Sequence, residues 1–166
     1  LVTSYVVATL VTLIVMISGL PMAVLIARKR AGPVLSSFLD ALVNVPIIVP
    51  SVALGVSLPL FWSAVGVSPG GDFGLIIFAH LCITYPYFVR SAIAAMENIN
   101  PELEVAARTL GGRPLTSFRK ITLPLMKYSM LAGSIMVFTR SVAETGATTA
   151  LTTSLKTVPV LIVSWV

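Results

Sequence analysis

Four stretches of this 166-residue chain stay apolar for at least the ~20 residues that a helix needs to cross the hydrocarbon core of a bilayer. They fall at about 2–27, 38–65, 73–96 and 123–142. In lipid no water satisfies backbone N–H and C=O groups, so apolar stretches of this length close their hydrogen bonds internally, as helices. Composition agrees, with 57% hydrophobic and 10% charged residues, against about 25% charged in a soluble domain. The expected fold is all-α, a polytopic transmembrane helical bundle occupying residues 1–166 as a single domain. The closing segment, 157–166, is apolar but too short to span: a short interfacial or re-entrant helix, or the first half of a truncated span. The chain opens on Leu1 and closes on Val166 within an apolar run, so it is expected to be a piece of a longer polypeptide, truncated at one or both ends.

A net charge of +5 would suit nucleic acid or anionic lipid, but the basic residues sit at the edges of apolar runs and form no tail or stripe. Topology explains them: Lys and Arg are retained on the cytoplasmic side of short loops. Arg28, Lys29 and Arg30 follow the first span, and Arg90, Arg108, Arg113, Arg119, Lys120 and Lys127 lie in or beside the loop after the third, which accounts for nine of the eleven. The loop Ser63 to Asp72 has none and faces outward. Helix one then runs inward, two outward, three inward and four outward, which places the polar island 97–122 in the cytoplasm. No nucleic acid partner is expected. The single cysteine, Cys82, forms no disulfide framework or Cys-based metal site and belongs to the packing. His80, the one histidine, has no Cys, Asp or Glu at metal-ligand spacing and is expected to be packed or hydrogen-bonded. Asp40 belongs to the interface after the first cytoplasmic loop.

Proline and glycine are dense inside the spans: Pro21, Pro46, Pro50, Gly55, Pro59 and Pro86. A carbonyl freed by proline must find a partner in a neighbouring helix or a water-lined cavity. Two readings stand side by side. The kinks adjust packing, or Pro46-Ile-Ile-Val-Pro50 bends the second helix around a substrate path.

Within the island, Asn100 is a good N-cap, Pro101 suits the first helical position, and Glu102 and Glu104 place negative charge at the positive end of the helix dipole. Leu103, Ala106, Ala107 and Leu110 fall at i, i+3, i+4 and i+7 and make one apolar face with small residues at its centre. Gly111 and Gly112 supply a left-handed helix end. Pro114 permits a second short helix through Phe118 to Ile121, and Leu123-Pro124 leads into the fourth span.

Ala106-Ala107, three residues, Gly111, nine residues, Ile121, one residue, Leu123-Pro124: this spacing resembles the EAA loop of permease subunits of binding-protein-dependent ABC importers. The family's leading Glu falls on Val105; Glu104, beside it, is the candidate substitute for that carboxylate. In such permeases the loop resembles a coupling helix, here Pro101 to Leu110 and including Arg108, that docks on an ATPase subunit. The resemblance implies the type I, MetI-like permease bundle, a second permease subunit that is a copy or a homologue, an extracytoplasmic substrate-binding protein, and residence in the inner membrane of a prokaryote. The chain lacks a G-x-x-x-x-G-K-[ST] phosphate loop. It is expected to bind no cofactor, with ATP and Mg held by the partner.

Sixteen residues beyond Pro124, about 24 Å along a helix, Arg140 lies near the outer boundary and can pair with Glu144 at i, i+4. The pair either fixes a helix end or shapes the outer gate or the binding-protein contact. Its surroundings, Thr139 to Thr148, are similar to the R-S-x-x-E-x-G-A-T segment of molybdate, tungstate and sulfate permeases, departing at Ala143 and Thr145. Gly19-Leu-Pro-Met-Ala23 and Tyr85-Pro-Tyr-Phe-Val-Arg90 extend the likeness along nearly the whole chain. Permeases for ferric iron, thiamine, polyamines and phosphate carry similar segments. A transporter is expected rather than an enzyme. The competing class is a membrane scaffold or intramembrane enzyme, the latter with Ser134 as nucleophile and His80 as base.

Overall fold

The computed structural model describes residues 2–67, 70–151 and 157–163, and every regular element among them is helical. In chain order they are α1 (Val2–Ala27), α2 (Pro33–Ile48), α3 (Ser51–Val65), α4 (Gly71–Glu97), α5 (Glu102–Thr109), α6 (Pro114–Ser117), a π-helical turn (Phe118–Thr122), α7 (Leu123–Val142), α8 (Gly146–Leu151) and α9 (Val158–Val163).

The bundle is built on α1, α4 and α7. On α1 the buried positions Val7, Val11, Val15, Gly19 and Ala23 recur in steps of four and make a stripe in the core shared with α4, where Gly19 meets Phe88 and Val89. Lipid tails are as apolar as this stripe, so close packing must hold it rather than exclusion from water. Small residues provide the approach. A Cβ on Gly19 would sit 2.8 Å from Phe88 Cδ1, and one on Gly133 of α7 would sit 2.9 Å from Ser91 Cβ.

Contacts also fix directions. Tyr85 meets Ser18, Phe88 meets Gly19, and Ile93 and Glu97 lie beside Ile26 and Ala27, so α1 and α4 are parallel. His80 meets Ser141, and Ser91 meets Gly133, so α7 is antiparallel to both. The chain between α1 and α4 must therefore return to the side on which α1 starts, and α2 with α3 makes that return.

The second apolar stretch is not the single helix expected over 38–65. It begins at Pro33, in the first-turn position after Gly32, and breaks at Val49 and Pro50 into α2 and α3, whose directions differ by 109°. The proline ring disfavours the helical conformation in the residue before it, and Val49 is extended (φ −81°, ψ 127°), as is Pro50 (φ −57°, ψ 135°). The two pieces have 16 and 15 residues. At ~1.5 Å per residue each falls short of a ~30 Å hydrocarbon core.

At the other end the separate short helix expected before the fourth span is instead continuous with it. Pro114–Val142 runs unbroken for 29 residues. A proline inside a helix clashes with the carbonyl four residues back. The π turn before Pro124 relieves this by an i to i−5 bond, Leu123 N–H to Phe118 O. The closing segment contains the six-residue helix α9, whose Val158 N–H donates to Ser4 Oγ at 3.0 Å. At ~9 Å it does not span. Residues 164–166 of that expectation lie outside the described residues.

Candidate functional site

The loop between α4 and α7 is built from local signals. Asn100 Oδ1 accepts the Glu102 N–H at 2.9 Å, and Pro101 is already helical at φ −58°, so the cap and first-turn residues act as their types dictate. At the far end the Gly111 N–H donates to Arg108 O and the Gly112 N–H to Ala107 O, both at 2.9 Å, the paired bonds of a Schellman cap. Only Gly111 is left-handed (φ +85°), which corrects the expectation that both glycines are. Gly112 serves close approach instead: a Cβ there would lie 2.6 Å from Ala107 O.

The loop helix α5 is turned with its charge inward and its apolar residues outward. Leu110 is 89% exposed, and Leu103, Val105 and Ala106 are exposed too, with Leu115 of α6 beside the cap. Ala107, Ile121 and Leu123 are half-buried, while Arg108, Gly111 and Pro124 reach the surface. The Glu104 side chain, by contrast, is only 10% exposed. Its Oε1 accepts Thr122 Oγ1 at 2.8 Å and Arg28 Nη2 at 3.2 Å, while Arg108 and Arg30 approach Oε2 at 3.8 and 3.9 Å. Glu104 therefore faces the bundle and does not take the outward place left by Val105. Nothing in the sequence pairs it with Arg28, 76 residues away.

The end of α7 far from this loop holds a second polar cluster. Arg140 Nη1 pairs with Glu144 Oε2, but Glu144 has left α7, which ends at Val142, and lies in the turn to α8. It is 2% exposed, and its Oε1 accepts the Ala147 N–H at 3.0 Å, capping α8. Beside it His80 Nδ1 lies 2.8 Å from Ser141 Oγ and Nε2 lies 3.0 Å from Thr148 Oγ1. A neutral imidazole has one donor and one acceptor and hydroxyls serve either, so the set is satisfied without charge. Ser134 Oγ bonds back to Met130 O at 2.8 Å, so the serine and histidine of the intramembrane-enzyme reading do not meet.

The two proline candidates part company. Pro46 lines an apolar cleft of about 370 Å³ with Ser18, Leu42, Leu81 and Tyr85, whose hydroxyl donates to Ser18 O. Pro50 is exposed at the break, and the break is brought against the Glu144 turn: a Cβ on Gly146 would be 2.7 Å from Ser51 Oγ. Along α8 a Cβ on Gly55 would be 2.6 Å from Ala147 O. These glycines have no recognisable spacing in sequence, since the crossing joins distant segments. Asp40, placed at an interface, receives Arg90 in a fork at 3.0 and 3.1 Å and ties α2 to α4.

Comparison with known proteins bears on the whole arrangement. Residues 19–164 match the family described as binding-protein-dependent transport system inner membrane component. Among similar proteins, the molybdenum transport system permease protein ModB of Mycobacterium tuberculosis is 33% identical over 147 residues, 82% of this chain and 55% of the relative. The molybdate/tungstate transport system permease protein WtpB of Pyrococcus furiosus is 31% identical, covering 95% of this chain and 61% of the relative. The sulfate transport system permease protein CysT of Salmonella typhimurium is 34% identical, covering 78% and 50%. The chain thus spans between half and two thirds of the length of these relatives. Among the described residues three helices are long and apolar enough to cross a membrane, with a fourth crossing if the bent pair counts as one, and the chain is a multi-pass membrane protein of all-α architecture. The chain belongs to the family of inner membrane components of binding-protein-dependent transport systems.

Proposed function

We propose that this chain is the pore-forming part of an ABC importer permease that moves a tetrahedral oxyanion, of the molybdate, tungstate or sulfate kind, inward across the cytoplasmic membrane of a prokaryote. The observation that carries the reading is the exposed ridge of Leu103, Leu110 and Leu115 on a loop capped at both ends and held from behind through Glu104. A shaped apolar ridge of this kind on a rigid loop suits a groove on a partner. That partner is an ATPase subunit carrying ATP and Mg. An extracytoplasmic binding protein delivers the solute, and a second permease subunit, a copy or a homologue, completes the pore.

The loop is also continuous with the machinery it would drive. The helix from Pro114 to Val142 is about 43 Å long, some 13 Å more than the hydrocarbon core. One rod therefore joins the ridge to the outer cluster at Ser141 and Glu144. Closure of two ATPase subunits would tilt that rod and shift the bundle between two packings. The solute class rests on the names of the relatives and on the segment around Arg140 and Glu144.

The test uses the complete permease with its ATPase and binding protein in proteoliposomes. Uptake of molybdate, tungstate and sulfate is measured with ATP hydrolysis, alongside ferric iron, thiamine, polyamine and phosphate as competing solutes. Replacing both Leu103 and Leu110 with Asp is expected to abolish solute-stimulated hydrolysis and uptake in a protein that still folds. Undiminished uptake in that variant rejects the docking reading, and uptake confined to a competing solute rejects the oxyanion.

A further inference from the structure

We propose that Glu104 is a positioning residue that ties the docking loop to the cytoplasmic end of α1, so that motion of the ridge is delivered to α1 as well as to the α7 rod. The inference rests on the docking reading given above, and it is carried by the geometry around one carboxylate. Residues from three segments converge there: Arg28 in the turn that closes α1, Thr122 at the end of the π turn, and Arg108 on α5 itself. The α5 backbone packs chiefly on α6 and the π turn, and the Glu104–Arg28 pair links it to the end of α1. An eight-residue helix is marginal alone. Without the link, α5 would be attached to the bundle through α6, the π turn and the chain leaving α4.

The charge count shows why the carboxylate rather than its shape is what matters. Arg28, Arg30 and Arg108 all lie within 4 Å of Glu104. No other acidic side chain among the described residues pairs with them. With Glu104 ionised, the three guanidiniums share a counter-charge and accept a common position. With an amide there, the hydrogen bonds from Thr122 and Arg28 can persist, but three like charges repel in a partly dehydrated pocket. Arg28 is itself partly buried, with Nε lacking a partner, so it gains little by staying. The loop is then expected to detach from α1 while keeping its fold and its outer ridge.

Glu104→Gln and Arg28→Gln separate this role from a merely structural one, and Thr122→Val offers a milder, nearly isosteric perturbation in case either fails to fold. Two readouts are taken on the complete transporter, with Cys82 replaced by Ser. The first is the distance distribution between spin labels at Lys29 and Thr109, in nanodiscs without nucleotide. The second is solute imported per ATP hydrolysed. Wild type is expected to give one narrow distance. Glu104→Gln and Arg28→Gln should each broaden it and lower the transport-to-hydrolysis ratio at least fivefold, with the double variant no worse than either single one. Thr122→Val should shift both in the same direction by less. A distribution in Glu104→Gln as narrow as in wild type overturns the tie. A broadened distribution with an unchanged ratio overturns its role in delivering motion. If wild type neither hydrolyses nor transports, the docking reading fails, while the distance measurement still decides the tie.

Discussion

Replacing Gly55 with alanine tests the crossing of α3 and α8, and the cost follows from distances. The added methyl would lie 2.6 Å from Ala147 O, 2.9 Å from Ala147 Cα and 2.8 Å from Ala150 Cβ. All three are backbone or Cβ atoms, so no rotamer change relieves them. Ordinary contact begins at 3.4 Å, and 3.4 minus 2.6 requires α8 to move by 0.8 Å. The far side of α8 is not free to yield, because Thr148 is held to His80 at 3.0 Å and the Ala147 N–H to Glu144 at 3.0 Å. Overpacking costs about 1–3 kcal/mol. If the shift breaks the Thr148 bond, a buried imidazole nitrogen is left unpaired for about 1–3 kcal/mol more. The expected destabilisation is therefore about 1–3 kcal/mol from overpacking alone, and about 2–6 kcal/mol if the two effects add. Unfolding in mixed micelles titrated with a denaturing detergent measures it. Val56→Ala, on the exposed side of the same helix, serves as the control and should stay within about 0.5 kcal/mol. Equal stability of Gly55→Ala and wild type would refute the close crossing.

Three further outcomes are expected. Leu110→Ala should leave stability unchanged, since the side chain is 89% exposed, yet weaken ATPase-subunit binding in a nanodisc titration by 10- to 100-fold, because a Leu buried on docking contributes about 1.5–3 kcal/mol. Unchanged affinity removes Leu110 from the ridge. Glu144→Gln keeps the acceptor for the Ala147 N–H but removes the counter-charge of Arg140, which is 36% exposed; solvent offsets part of the loss, so about 1–3 kcal/mol is expected by the same micelle titration rather than the ~3–5 of a fully buried pair. In the loop, Gly111→Ala has open space but a φ of +85°, and should cost about 1–2 kcal/mol. Gly112→Ala meets the Ala107 carbonyl and should cost more, with amide exchange at the end of α5 rising in both and rising further at 112; the reverse order contradicts the cap.

What was legible in the chain follows the range of the forces involved. The first apolar helix, the Asn100 cap and the Gly111 end are decided within a few residues, and they stand where the residues place them. A bend between Pro46 and Pro50 was legible, but whether a proline bends or severs a helix depends on what the freed ends pack against. Here α8 supplies that packing through Gly55 and Gly146, nearly a hundred residues beyond the break. The π turn escaped because Pro114 and Pro124 each look like helix starts, and only a continuous helix needs the extra residue between them.

The orientation of α5 shows the same limit most clearly. Leu103, Ala106, Ala107 and Leu110 form the face that a soluble amphipathic helix would bury, and Glu104, about 100° around the helix, would ordinarily be solvated. The structure inverts this, with Leu110 outward and the Glu104 carboxylate inward. Periodicity identifies a face but not its direction, because direction depends on partners elsewhere in the chain. Arg28 and Thr122 supply them on the inner side, where a carboxylate without its guanidiniums would not be tolerated. On the outer side the apolar ridge lacks any cover from the described residues, and the inversion becomes favourable once a second surface closes over it.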